Sequence, residues 1–233
     1  MGYLFNGFIK AGELLFTGDA QTYSAIFTTL KVSTLSIIIS LMIGTPAGFF
    51  LGYLDFPGKR QIRAVVDTLL ALPTVVVGLF VYAMISRQGP FGGLGLLYSV
   101  PGIALAQTIL VLPIVVSLTA TAVESADRRL KMTLYTLGAR GRQIVLTTLG
   151  EVRFAVLAAA VTAYGRAISE VGISMMIGGN IKWHTRTITT AIALETGKGD
   201  FAMGISLGMV LLLIAFFINW MLLVLRRHSQ HGF

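Results

Sequence analysis

Five long apolar runs, each closed by a charged or glycine-rich segment, constrain this chain more than any other feature. They cover about residues 25–54, 64–86, 100–123, 154–177 and 202–225. A helix needs about 20 apolar residues to cross a hydrocarbon core roughly 30 Å thick. Within that core every backbone N–H and C=O must find a partner inside the protein, which a helix provides. Composition agrees: 55% of residues are hydrophobic and 12% charged, against roughly 25% charged in a soluble domain. The expected fold class is therefore an all-α integral membrane protein with five transmembrane helices, or six if the amino-terminal segment also inserts.

The segments between the runs carry the rest of the organisation. Residues 1–24 mix Phe5, Phe8, Ile9, Leu14, Leu15 and Phe16 with Lys10, Glu13 and Asp19, and the apolar stretch is too short to span. It reads as an amphipathic helix lying on the interface. It lacks the basic start and small-residue cleavage site of a signal peptide. Residues 25–225 form one transmembrane domain, and 226–233 a short tail. In the first run Gly44, Pro46, Gly48 and Gly52 permit close helix approach or a kink. Pro73 removes a backbone donor from the second run, so a bend is expected there with a carbonyl freed near Thr74; Pro113 lies inside the third. Residues 185–195 read as a short helix at the membrane edge, partly re-entrant.

One connecting segment differs from the others. Residues 124–153 hold six of the 18 Lys and Arg residues, Arg128, Arg129, Lys131, Arg140, Arg142 and Arg153. Their middle reads as a short helix, a glycine joint at Gly138 and a second helix, with Leu134, Leu137, Ile144 and Val145 as a shared apolar side and Arg140 and Arg142 in water. With this loop inside, cytoplasmic segments hold eleven Lys and Arg and outer segments five. That bias places the amino terminus outside and the carboxyl terminus in the cytoplasm.

Candidate chemistry is sparse. Arg166 and Glu170 stand four apart in the fourth run, hence on one helical face. A charge near the bilayer centre is costly, so the two need each other, a partner helix or a water-filled path. Either they form a structural ion pair, or Arg166 faces a pathway and attracts or gates an anion while Glu170 orients it, with Ser169 and Thr162 adding hydroxyl donors. Asp67 reads as a solvated acid at a helix end. The absence of cysteine excludes disulfides and thiolate chemistry, and the spacing of His184, His228 and His231 gives no metal site. The net charge of +8 follows from basic residues retained on one side of a membrane rather than from nucleic-acid binding. No Walker A, His-Glu-x-x-His or Gly-x-Ser-x-Gly sequence is present. A folded basic loop without a nucleotide site suggests a docking point for a separate motor.

The order of parts resembles the permease subunit of an ABC importer of the type I fold. In that family a cytoplasmic loop carries Glu-Ala-Ala, three residues, Gly, nine residues and Ile-x-Leu-Pro. Here Gly138 stands at the glycine, followed by Arg140 and Arg142, while Met132-Thr-Leu134 replaces Glu-Ala-Ala and Thr148-Leu-Gly-Glu151 replaces Ile-x-Leu-Pro. Leu72-Pro-Thr-Val-Val-Val-Gly-Leu79 with Arg87-Gln-Gly-Pro-Phe-Gly92 looks like a signature of the molybdate, tungstate and sulfate branch. Gly165-Arg-Ala-Ile-Ser-Glu-Val-Gly172 is similar to its Arg-x-x-Gly-Glu-Phe-Gly segment, and Asn180 and Thr185-Arg-Thr-Ile188 match the segment that follows. The diverged loop and the missing cysteines look like the tungstate members.

The resemblance implies a permease for a tetrahedral oxyanion, tungstate first and molybdate or sulfate as alternatives; a passive anion channel or a membrane scaffold is the more distant reading. It implies two copies of the chain, two ATP-binding subunits that carry ATP and Mg, and an extracytoplasmic solute-binding protein, with no cofactor and no catalysis on the chain itself. Arg166, Glu170, Ser169 and Thr74 become the candidate pathway or gate. Leu134, Leu137, Gly138, Ala139, Arg140 and Arg142 become the ATPase-coupling residues. With no module after Phe233, feedback by the anion through a carboxyl-terminal domain is not expected.

Overall fold

The computed structural model describes residues 2–126, 132–134 and 136–230, and all the regular structure among them is helical. Ten α-helices follow in order: α1 (Gly2–Phe16), α2 (Ala20–Tyr53), α3 (Lys59–Leu70), α4 (Thr74–Ile85), α5 (Val100–Glu124), α6 (Gly141–Glu151), α7 (Arg153–Ile168), α8 (Gly172–Gly178), α9 (Ile188–Gly197) and α10 (Phe201–Gln230), with a 3-10 turn at Gly92–Leu94. Three are long and apolar enough to cross a membrane, Ala20–Tyr53, Val100–Glu124 and Phe201–Trp220, and the number rises to five if α3 with α4 and α6 with α7 each count as one bent span. Arg128, Arg129 and Lys131 of the basic loop lie outside the described residues.

The chain groups into two compact units. The first contains residues 1–36, 73–110 and 165–233. Its apolar centre joins Ala11, Ala25, Ile188, Ala191, Leu207 and Val210, so α1 packs on α10, with Ser206 Oγ donating to Gly7 O at 3.1 Å. The same two-residue device ends one helix and starts the next twice here. Gly18 (φ 72°) and Gly199 (φ 85°) adopt the left-handed conformation, and the amides of Asp19 and Asp200 reach back to Leu14 O and Glu195 O. The Asp19 carboxylate then accepts from Thr22 N (2.8 Å) and Asp200 from Met203 N (2.9 Å). A Schellman stop and an N-cap are thus written in Gly-Asp.

The second unit contains residues 37–72 and 111–164. Here α2 and α5 meet through Gly44, Gly48 and Gly52, one per helical turn. A Cβ built on Gly48 would stand 2.6 Å from Val116 O, and one on Gly52 2.5 Å from Ala120 O. Only glycine permits that approach, which is the small-residue packing expected from the first apolar run. Pro46 and Pro113 are absorbed within continuous helices. Pro73 is not. The second run breaks into α3 and α4, with Pro73 as the extended residue before α4 and its carbonyl accepting from Val76 and Val77. Thr74 is therefore the first residue of a new helix rather than a neighbour of a freed carbonyl, because a proline removes a donor from a helix interior but suits the entry to the next helix.

Candidate functional site

The fourth run does not form one helix. It stops at Ile168 and restarts at Gly172, which corrects the expectation that Arg166 and Glu170 share a helical face. They still meet, at 3.1 Å between Arg166 Nη1 and Glu170 Oε2, but across a helix end. The break is tied to neighbouring helices. Ala167 O accepts from Glu170 N (3.2 Å) and from Gln107 Nε2 on α5 (3.2 Å). The Glu170 carbonyl accepts from Thr189 Oγ1 (2.9 Å) and Ser174 Oγ (3.3 Å). The carbonyls of Ala167 and Glu170, which the interruption removes from the helical ladder, thus find other donors, as burial demands.

Glu170 is 3% exposed, and its position explains how a carboxylate is tolerated there. Oε1 accepts from Ile173 N at 3.2 Å in the first turn of α8, where a helix's unpaired amides and dipole favour negative charge. Oε2 faces the guanidinium. Thr74 borders the same place: a Cβ on Gly172 would stand 3.4 Å from Glu170 Oε1 and 3.8 Å from Thr74 Oγ1. Arg166 keeps 39% of its side chain exposed, and with one of its five N–H groups on Glu170 it retains donors for an anion.

The two hydroxyls expected to add donors are each bonded to backbone. Ser169 Oγ donates to Arg166 O (3.1 Å) and Thr162 Oγ1 to Ala158 O (2.9 Å), so both protons are spent on backbone. The supporting residues that the sequence did not single out are Gln107, Ser174 and Thr189, the last held by Thr187 Oγ1 at 2.9 Å. The alternating threonines at 185, 187 and 189 were visible, but nothing local tied them to a carbonyl 19 residues away. Arg186 is also placed, its Nε donating to Asn180 Oδ1 at 3.1 Å.

In the basic loop Gly138 has φ 69°, and Ala139 N donates to Leu134 O at 3.0 Å. That is a third Schellman stop, followed by Gln143 Oε1 accepting from Arg140 N (2.7 Å) at the start of α6. The apolar side divides, however. Leu137 is 77% exposed and Ile144 only 6%, and Val145 and Leu149 pack on the cluster of Phe49, Ala122, Val123 and Val152. The glycine reverses the chain, so Ile144 and Val145 serve the unit's own core. Leu137 with Arg140 and Arg142 faces outward and Leu134 is half-buried.

Asp67 is 48% exposed in the last turn of α3, as a solvated acid at a helix end should be, and it also accepts from Ser117 Oγ at 2.8 Å and lies 3.4 Å from Arg63 Nε, so it joins α3 to α5. Among the described residues no cluster of His, Asp and Glu is arranged for a metal.

Residues 44–230 match the family described as "Binding-protein-dependent transport system inner membrane component". The chain belongs to that family. This permease is 47% identical over 227 residues to the tungstate uptake system permease protein TupB of Campylobacter jejuni, covering 97% of this chain and 95% of that one. It is 40% identical to the TupB protein of Peptoclostridium acidaminophilum over 94% of this chain and 96% of the other. The molybdenum transport system permease protein ModB of Escherichia coli stands at 30%, over 89% of this chain and 96% of ModB. Among solved structures, an inward-facing MetNI methionine ABC transporter superposes with a TM-score of 0.73, covering 89% of the permease and 95% of that chain at 17% identity. The fold is thus that of a type I ABC importer permease, and the permease is an inner-membrane subunit rather than an enzyme in itself.

Proposed function

We propose that this permease carries a tetrahedral oxyanion, tungstate, across the membrane as the spanning subunit of an ATP-driven importer. The observation that carries the reading is the 47% identity to a tungstate uptake permease over nearly the whole of both chains. The exposed guanidinium of Arg166, steadied by a buried Glu170, suits it. A cation held by one carboxylate attracts a dianion without the strength that would trap it. Molybdate is the second reading, favoured by the 30% identity to ModB; the two anions share shape and charge.

In this reading two copies of the chain enclose the path and a binding protein delivers the anion from outside, where the amino terminus also lies. Two ATP-binding subunits grip the Leu134–Arg142 surface inside. This chain binds no cofactor; ATP and Mg belong to the ATPase. Closure of the ATPases moves the loop and rocks the helices between outward and inward access. The direct test is tungsten content of cells lacking the chain, grown in trace tungstate with and without a plasmid copy. Restored uptake that excess molybdate leaves intact is expected. Unchanged uptake without the chain refutes the proposal, and uptake abolished by molybdate shifts it to the second anion.

A further inference from the structure

We infer that Lys59 and Arg63 form an ionic latch on Glu124, joining the base of the coupling loop to α3, and that this latch sets how much transport each ATP yields. The inference rests on reading the chain as an ATP-driven permease.

The argument begins with how differently α3 is held from its neighbours. α2 and α5 are locked by the glycine contacts at Gly44, Gly48 and Gly52, where no side chain intervenes. α3 has no buried residue. Its apolar hold is the half-buried Val66 against Leu51, Val116 and Ala120. Around it stand polar contacts: Lys59 Nζ to Glu124 Oε1 at 3.3 Å, Arg63 Nη1 to Glu124 Oε2 at 3.8 Å, Arg63 Nη2 donating to Thr121 Oγ1, and the Ser117–Asp67 bond. An element fastened mainly by side-chain tips can shift without opening a void in a close-packed core.

The acid sits where it needs these cations. Glu124 ends α5, at the end of a helix whose unpaired carbonyls and dipole disfavour a negative charge. Lys59 and Arg63 offset that, and Lys59 also reaches Gly52 O in the last turn of α2 at 3.3 Å. Glu124 is the first residue of the basic segment 124–153, so movement of that segment bears on Glu124 and passes through the latch to α3. α3 continues through Ala71–Pro73 into α4, whose first residues, Thr74 and Val75, lie beside Gly172 and Glu170.

The test uses the whole complex, with ATPase subunits and binding protein, in lipid vesicles, and reads tungstate imported per ATP hydrolysed. Glu124→Gln keeps the shape and removes the charge, and a fall of about fivefold or more is expected, with hydrolysis maintained. Reversing the polarity, Glu124→Lys with Lys59→Glu and Arg63→Glu, restores the ratio. Arg60→Gln, an exposed cation of the same helix, leaves it unchanged. A normal ratio in assembled Glu124→Gln complex overturns the latch. So does a low ratio that the reversed variant fails to regain although its thermal melting matches wild type. Wild-type vesicles that hydrolyse ATP but import no tungstate or molybdate refute the permease reading itself, which separates the two failures.

Discussion

At the scale of single residues, the decisive asymmetry is between a guanidinium 39% exposed and a carboxylate 3% exposed. Were the pair only a strut, removing either member would have similar consequences. The geometry predicts otherwise. Arg166→Ala removes the proposed partner of the anion, and a charge-assisted hydrogen bond of about 1.5–3 kcal/mol goes with it, so the expected loss of uptake is roughly tenfold or more. Glu170→Gln leaves the guanidinium in place and an oxygen for Ile173 N. It costs about 1–3 kcal/mol of stability, seen as a lower melting temperature of the solubilised protein, while uptake stays within about threefold of wild type. Equal losses of uptake in the two variants, tracking equal losses of folded protein, would make the pair structural.

At the scale of elements, glycine and proline decide where helices end. Gly138 shows it best. A side chain there meets nothing within 4 Å, so its need for glycine is conformational. Gly138→Val forces a β-branched residue to φ 69° and costs about 1–2 kcal/mol, whereas Gly138→Asn, which tolerates that region, costs less. The expected outcome is that Gly138→Val inserts normally but its complex with the ATPase hydrolyses ATP with reduced uptake, and Gly138→Asn retains most coupling. Parallel measurement of vesicle ATPase and uptake checks this; equal behaviour of the two variants defeats it. The same elements show what could be read beforehand. The joint at Gly138, the short helix after Arg186 and the close approach at Gly44, Gly48 and Gly52 each follow from local chemistry. The break at 169–171 does not, because its stability comes from Gln107 and Thr189, each on another helix. Nor does the packing of Val145, which depends on where Phe49 and Val152 lie.

For the molecule as a whole, the distribution of charge constrains the topology most. Eleven Lys and Arg fall on the loop side and five on the other, and Lys and Arg are retained on the cytoplasmic side during insertion. α1 has 15 residues, about 22 Å at 1.5 Å per residue, and falls short of a bilayer core of roughly 30 Å. It packs on α10 through Gly7 and Ala11, so it does not need to cross to bury its small residues. In the proposed topology the chain crosses five times and its amino terminus is external. Because the chain has no cysteine, single introduced thiols report their side without background. Gly2→Cys and Gln88→Cys are expected to react with a membrane-impermeant maleimide on intact spheroplasts. Leu137→Cys, at an exposed position, reacts only after the membrane is opened. Protection of Gly2→Cys with labelling of Gln88→Cys would mean that α1 crosses as a sixth span, and labelling of Leu137→Cys from outside would invert the topology and remove the coupling surface from the ATPase's reach.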